Sequence, residues 1–541
     1  MIMDIKIVSS LDKVFAHFGP TLFIEEYSML KNERYHLQLC IYNDEWRKTE
    51  VKVEVKGSLS KYCQLRIVDN VPAETTNYSS SDDYYIFDRG ESRLYPDILR
   101  PFEYGDVMIP SKQWKSVWCT IHCPSGLPTG KHTLIFAVDV PEKDTMTAEL
   151  NVEVMDVSLP ESDLFYTNWF HYDGIANYYN IKPWTKKYYS VLGSFIDSAV
   201  LHGMNILYTP VFTPALDTKV GWERMDVQLV KITEKVEGVY SFDFTELNAF
   251  IDFAQSKGIK YFELSHLTTQ WGAKACPKIM AFTKNGYERI FGWDTPSFEK
   301  KYKTFLAQFL PAIDKFLKEK GIFNKVFFHI SDEPNTEDFE AYKQIAQYIK
   351  GYLKDYKILD ASSTESNDFV DIPVLATTHI PDSVGKNVWA YYCCTSCSDY
   401  LSNRFFNMPS QRNRILGMQL YERDINGFLH WGFNFYNTVL SYRPINPLCV
   451  SDAGGAFPAG DSFVVYPGHN GAWDSLRLEV FYDALQDRMI LKLLESFIGR
   501  EKVLELLHNE GVRGWKEYPR DAKWHIMFRE KLNKMVGEYC R

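Results

Sequence analysis

The sequence predicts a multidomain α/β and all-β protein: an N-terminal β-sandwich over residues 1–157, a (β/α)8 barrel of the TIM type over 164–499, and a short helical C-terminal extension over 500–541. Three observations carry this. The chain of 541 residues is too long for one core, because domains run to ~100–200 residues and barrels somewhat further. Up to residue 157, short apolar runs are separated by turn signals, with no helical period. From residue 164 onward, strand-like runs alternate with amphipathic segments closed by glycine, the pattern of a parallel sheet covered by helices.

The N-terminal runs are YHLQLCIYN, VKVEVKG, CQLRIVD, SVWCTIHC, HTLIFAVDV and TAELNVEVMDV, with turns such as PSGLPTGKH between them. Several alternate in polarity, as antiparallel strands with one buried face do. The polar stretch Ser158–Asp163, with its proline, is the expected boundary. FYTNWFHYDG (165–174) is then a first strand running into a polar, aromatic loop. A helix over 186–203 stops at Gly203, a strand covers 205–212, and a helix over 247–258 stops at Gly258. A strand over 259–267, a helix over 302–321, a strand over 325–334 and a helix over 336–353 with Thr336 as N-cap continue the alternation. Strands over 357–364, 387–394, 427–436 and 462–467 complete eight, and a long helix follows over 475–499. PVLATTHI (373–380) is a ninth candidate, which keeps a doubly wound open sheet as the alternative. Gly after a helix and an N-cap before one are physical stop and start signals. No G-x-G-x-x-G follows the first strand, which argues against a dinucleotide site.

Composition narrows the function classes. The net charge of -10 comes without a block of like charge, so nucleic acid, which needs a basic patch, is not an expected partner. No apolar run is long enough for stable membrane insertion. MIMDIKIVSSLDKVF lacks a basic segment followed by an apolar one, so no secretory leader is expected. The ten cysteines are scattered, as reduced thiols in a cytoplasmic protein would be. Cys393, Cys394 and Cys397 form the densest group but lack a fourth ligand, so no metal is expected there. Nothing in the pattern bears on oligomeric state.

In a barrel of this kind the chemistry sits at the C-terminal ends of the strands. Those ends are rich in aromatic, amide and carboxylate side chains: Asn168, Trp169, His171 and Asp173; His266 and Trp271; Asp332 and Glu333; Tyr391; Trp431, Asn434 and Tyr436. Such a set suits a carbohydrate, whose C–H faces stack on aromatic rings and whose hydroxyls need polar partners. The strand FFHI ends on the adjacent pair Asp332–Glu333 before Pro334. Two-carboxylate glycosidases hold their acids ~5 Å or ~6.5–9.5 Å apart, usually from different strands. With the acid on strand four, the usual partner would end strand seven, and GFLHWGFNFY carries none.

Neighbouring carboxylates suit substrate assistance instead, in which the 2-acetamido oxygen of the sugar attacks its own anomeric carbon. One acid orients the acetamido N–H and the other protonates the leaving oxygen: Asp332 and Glu333 in those roles. Regular alternation would send the two to opposite faces, so the strand end must break it. The plainer alternative is that both acids cap the helix starting near Thr336. A conventional pair of Glu333 with Glu263 or Asp173, and a carbohydrate-binding protein without turnover, are the competing functions.

Five stretches, FYTNWFHYDG, FFHISDEP, VWAYYCC, NGFLHWGFNFY and GDSFVVYPG followed by SLRLEV, together resemble the catalytic domain of glycoside hydrolase family 123, the β-N-acetylgalactosaminidases. The β-rich region before them resembles that family too. The resemblance implies retaining, substrate-assisted hydrolysis of terminal β-linked N-acetylgalactosamine, with the catalytic pair falling on Asp332 and Glu333. It implies a glycolipid or oligosaccharide substrate, and no metal or organic cofactor is expected.

Overall fold

The computed structural model describes residues 3–540, apart from 79, 89–91, 104, 335–338, 363–368 and 382–386. The predicted N-cap Thr336 and the end of the predicted strand 357–364 lie outside the described residues.

The N-terminal region folds into two sheets. One runs in the order Met3–Ser9, Arg34–Asn43, Gln113–His122, Cys63–Ala73, Arg93–Pro101. The other runs Glu26–Lys31, Met146–Ser158, Gly130–Asp139, Thr49–Lys56, Asp106–Ile109. Alternation in TEVKVEVK buries Val51 and Val53 and exposes the charged residues between them. Leu37, Leu39, Val117 and Ile121 of the first sheet and Met29, Val53, Phe136 and Val152 of the second belong to one apolar core. Pairing is antiparallel except between Glu26–Lys31 and Met146–Ser158, which run parallel, a departure from the all-antiparallel expectation.

Eight parallel strands follow: β1 Phe165–Asn168, β2 Ile206–Thr209, β3 Tyr261–Leu264, β4 Val326–Phe328, β5 Lys357–Ser362, β6 Ile372–Ala376, β7 Trp389–Tyr391 and β8 Gly427–His430. Their ladders run without interruption from β1 through β8 and back down to β2. At the β1–β2 seam Asn205 takes the place of a ladder. Its side chain accepts from Tyr166 N at 3.0 Å and donates to Leu164 O at 2.8 Å, while its own N–H reaches Tyr166 O at 3.2 Å. The barrel is thus nearly closed, with one amide side chain across the gap.

The strand count was right for a different set. The ninth candidate is the true sixth strand, and 462–467 is not in the barrel. Its end, Tyr466–Pro467, pairs with Ala472–Ser475, which pairs in turn with Arg93–Pro101 and extends the first N-terminal sheet to seven strands. No helix lies between β5 and β6 or between β6 and β7 among the described residues, so strand-helix alternation could not mark β6. The loops after β2 and β3 contribute an unforeseen four-stranded sheet: Lys231–Val236, Val239–Asp243, Ile279–Thr283 and Gly286–Phe291.

The barrel helices follow the sequence signals. Lys186–Leu201 starts on Thr185, whose hydroxyl accepts from Tyr188 N, and Thr245–Ser256 ends before Gly258 at φ +104. The barrel interior is layered. Phe165, Tyr261, Phe327 and Trp389 fill its base with neighbouring ring centroids 5.1–6.2 Å apart. Gly427 belongs there because a Cβ would sit 2.1 Å from the Trp389 indole.

The helix Leu476–Ile498, capped by Ser475, joins the two regions. Arg477 and Glu479, neighbours on this helix, pair separately. Arg477 bonds Asp97 at 3.0 Å and Glu479 takes Arg34 and Arg66. The C-terminal helix Ala522–Tyr539 packs on the second N-terminal sheet, where Glu530 accepts from Ser28 and Arg529 pairs with Glu33 at 2.7 Å. Among the described residues no helix is long and apolar enough to cross a membrane.

Candidate active site

The segment after β4 is stitched on both sides. Leu267 N and Thr268 N donate to His329 O and Ile330 O, and Trp271 N donates to Asp332 O at 2.7 Å. Ser331 Oγ reaches Thr269 O at 2.8 Å. From the other side Asp360 of β5 accepts from Ile330 N at 2.9 Å. The chain then turns left-handed at Glu333, φ +42. That turn breaks strand alternation, and the adjacent side chains of Asp332 and Glu333 line the same cavity of about 310 Å³. A non-glycine residue at positive φ is costly and persists only where its surroundings enforce it. Tyr391 OH at the end of β7 donates to Glu333 Oε1. Burial, then the neighbouring Glu333 carboxylate, push Asp332 well above the usual carboxylate range, with His329 opposing.

Beneath the cavity lies a buried relay. His329 Nε2 meets Glu263 Oε1 at 2.7 Å and its Nδ1 meets Asp360 Oδ1 at 3.2 Å. Glu263 also accepts from Thr167 Oγ1 at 2.6 Å and Trp169 Nε1 at 2.7 Å, and Asp360 from Tyr342 OH at 2.7 Å. Burial opposes a charge on His329, but the hydrogen bonds to Asp360 and Glu263 outweigh it and push the imidazole up to about 9. A raised histidine stabilises the fold fully below its unfolded value and loses that contribution as pH rises through the folded one. The stability difference between wild type and His329→Gln is therefore expected to shrink as pH rises from 6.5 through about 9. Urea titrations at each pH measure it. Lys13, whose burial lowers it to about 7, cancels in the difference. A difference that stayed flat across the window would remove the charged relay.

Of the residues singled out from sequence, Trp169, Trp271, Asp332, Glu333, Tyr391 and Trp431 line the cavity. Trp431 is held from behind by Asp461, which accepts from its Nε1 at 3.1 Å and which burial pushes up to about 7. The others lie off the cavity. Phe165, Thr167 and Trp169 face inward, so Asn168 falls on the outer face of β1 by alternation. Asn434 stitches the segment after β8 to the segment after β1: its Oδ1 accepts from His171 N at 2.9 Å and its Nδ2 donates to His171 O. Tyr436 OH donates to Val465 O at 2.9 Å. His171 and Asp173 grip Arg224, whose Nε donates to Asp173 at 2.9 Å and whose Nη2 lies 3.1 Å from His171 Nδ1. Burial and Arg224 lower His171 to about 3, so it is neutral. His266 stacks on His329 with centroids 4.3 Å apart and meets Tyr208 OH at 2.9 Å.

Sequence reasoning missed Asp217, which lines the cavity from the loop after β2. Its Oδ2 accepts from Leu440 N at 3.1 Å, and burial pushes it up to about 6. Leu440 and Phe457 also line the cavity from the chain after β8. No local signal marks these three; they arrive through long irregular loops. Cys393 and Cys394 line the wall, while Cys397 packs away from it with Phe405 and Met408. His266, His329 and Asp360 bring ligand atoms within 4.8 Å of one another. The two imidazoles are stacked at 24°, so their in-plane lone pairs run side by side rather than converging on one ion.

The family model described as glycoside hydrolase 123, catalytic domain, matches residues 169–494. Among solved structures, a family 123 glycoside hydrolase from Clostridium perfringens, described in terms of glycolipid glycan hydrolysis, superposes with a TM-score of 0.76 at 16% identity, covering 100% of this chain and 99% of its own. A Bacteroides ovatus GH5 xyloglucanase (TM-score 0.26, 8% identity, 90% of this chain and 100% of its own) and an Eisenbergiella tayi GH2 β-galacturonidase (0.30, 9%, 84% and 69%) superpose too loosely to carry an argument. No curated protein compared with the sequence matches it.

Proposed function

This chain belongs to glycoside hydrolase family 123, and on that premise we propose that it removes non-reducing terminal β-linked N-acetylgalactosamine with retention, by substrate assistance. The observation that carries the reading is the left-handed turn at Glu333, which puts two adjacent carboxylates on one cavity. The true β7 continues into Tyr392, Cys393 and Cys394, so the position where a conventional nucleophile would stand again holds no carboxylate. Glu263 and Asp173, the conventional partners considered from sequence, are committed to His329 and Arg224.

In the proposed reaction Asp332 accepts the acetamido N–H and aligns its carbonyl oxygen on the anomeric carbon. As that C–O bond forms, Glu333 gives its proton to the departing glycosidic oxygen. Glu333, now a carboxylate, takes a proton from the water that opens the oxazolinium ring. Tyr391 fixes the Glu333 rotamer, and the indoles of Trp169 and Trp431 offer apolar faces to the sugar. Removing one preorganised group that stabilises charge developing in a transition state costs about 10²–10³ in rate. Asp332→Asn is expected to cost that much on 2-acetamido substrates.

The test is release of the aryl group from β-GalNAc, β-GlcNAc and β-galactose aryl glycosides, with Asp332→Asn beside wild type. Cleavage confined to an acetamido sugar supports the mechanism and names the sugar. Equal cleavage of the galactoside would leave the acetamido group without a role. In that event Asp217, a third carboxylate on the cavity, is the partner to examine for a two-carboxylate reaction.

A further inference from the structure

The cavity of about 310 Å³ stands at the lower end of ligand pockets, which run ~300–1,000 Å³, and suits one sugar ring. The rest of a glycan must leave over the rim. On the β2–β8 side that rim is a built feature. Asp217, Val439 and Leu440 line the cavity, and their neighbours farther along the same two loops form a ledge. Lys219 N donates to Leu440 O at 3.0 Å and Ser441 Oγ to Asp217 O at 2.7 Å, clipping the loops together. The ledge carries Trp222 and Tyr442, 44% and 43% exposed, with ring centroids 5.1 Å apart and nearly perpendicular. The Lys219 ammonium lies 5.2 Å and 5.1 Å from the two centroids.

The two large exposed aromatics stand on two irregular loops, one after β2 and one after β8. Asp217, Leu440 and Ser441 all have positive φ, at 41°, 55° and 54°. Each such residue is costly and persists only where the surrounding structure enforces it. The enforcement is visible: Glu223 beside Trp222 pairs with Lys278 and Arg289 of the four-stranded sheet segment, both at 2.9 Å. Arg224 is gripped by Asp173 and His171. His171 and Asp173 therefore act on this ledge from beneath.

Resting on the sugar reading above, we propose that Trp222, Tyr442 and Lys219 bind the sugar ring on the reducing side of the cleaved bond. An indole or phenol face stacks on the ring's C–H face, and the ammonium donates to its hydroxyls. The aglycone that this site takes is a sugar rather than an alkyl chain.

The test uses Glu333→Gln protein, so that ligands survive, and calorimetry. The ligands are the methyl, octyl and galactose-extended β-GalNAc glycosides, with methyl β-galactoside as reference. The extended glycan is expected to bind roughly five- to tenfold more tightly than the methyl glycoside, the worth of one aromatic face. Adding Trp222→Ala is expected to abolish that ratio and leave the methyl glycoside unchanged, and Trp222→Phe to keep most of it. The ledge is overturned if Trp222→Ala leaves the ratio intact or weakens both ligands equally. It is also overturned if the octyl glycoside gains and the glycan does not, or if no glycan binds. The acetamido reading fails separately, if methyl β-galactoside binds as well as methyl β-GalNAc; the ratio still reads the ledge.

Discussion

Glu333→Gln is expected to lower kcat on an unactivated β-GalNAc glycan by about 10²–10⁴-fold, the usual worth of a positioned proton donor. Two structural facts put the effect on this residue. Its left-handed backbone turns it onto the cavity beside Asp332, and Tyr391 OH holds its carboxylate there. Glutamine keeps the shape and loses the proton. Binding of the methyl glycoside should therefore change little, and kcat should carry the loss. The first chemical step should be spared when the leaving group is a good one, such as a dinitrophenolate, because such an oxygen departs without a proton. A leaving-group series on kcat/KM separates these cases. If the variant stayed within tenfold of wild type on the unactivated glycan, Glu333 would not be the acid.

Glu479→Gln is expected to destabilise the folded chain by about 3–5 kcal/mol, the cost of breaking a buried ion pair from one side. Glu479 is fully buried, with Arg34 Nη2 2.5 Å and His36 Nε2 2.9 Å from Oε2, and Arg66 on Oε1. Burial alone would raise its pKa, but Arg66 and Arg34, aided by His36 and His202, hold it well below the usual carboxylate range. A lowered carboxylate gives stability that is present above its unfolded value and lost as pH falls through the folded one. The difference between wild type and Glu479→Gln should thus be full at pH 7 and shrink in strong acid. Chemical denaturation read both by tryptophan fluorescence and by circular dichroism measures it, with two probes because a multidomain chain need not unfold in one step. An unchanged midpoint would show that the arginines find other partners.

What the sequence made legible was what is local. Glycine stops at Gly203 and Gly258 and the run ending at Asp332–Glu333 reflect nearby residues, whereas the caps Thr185 and Ser475 were not singled out. The barrel was legible for the same reason, although β6 was taken as surplus and 462–467 as a strand of the barrel. Both errors come from long-range pairing: among the described residues no helix flanks β6, and Tyr466–Pro467 belongs to a sheet begun hundreds of residues earlier. At the site, the aromatic residues Trp169, Tyr391 and Trp431 line the cavity, whereas Tyr436 turns away to Val465 O. Several polar residues in the same stretches lie off it. His171, Asp173 and Asn434 hydrogen-bond to other parts of the chain rather than face the cavity. A buried polar group must be paired, and the sequence does not say with what.

The late hairpin Tyr466–Pro467 and Ala472–Ser475 closes the edge beside Arg93–Pro101. On the ribosome that edge must wait for several hundred further residues, on the order of tens of seconds at ordinary elongation rates. Through that interval the nascent N-terminal sheet presents unpaired backbone N–H and C=O groups, the template on which strands of other chains add. Production of this protein should thus depend on what shields the growing chain, and cells short of chaperones should lose it to inclusion bodies before the barrel exists.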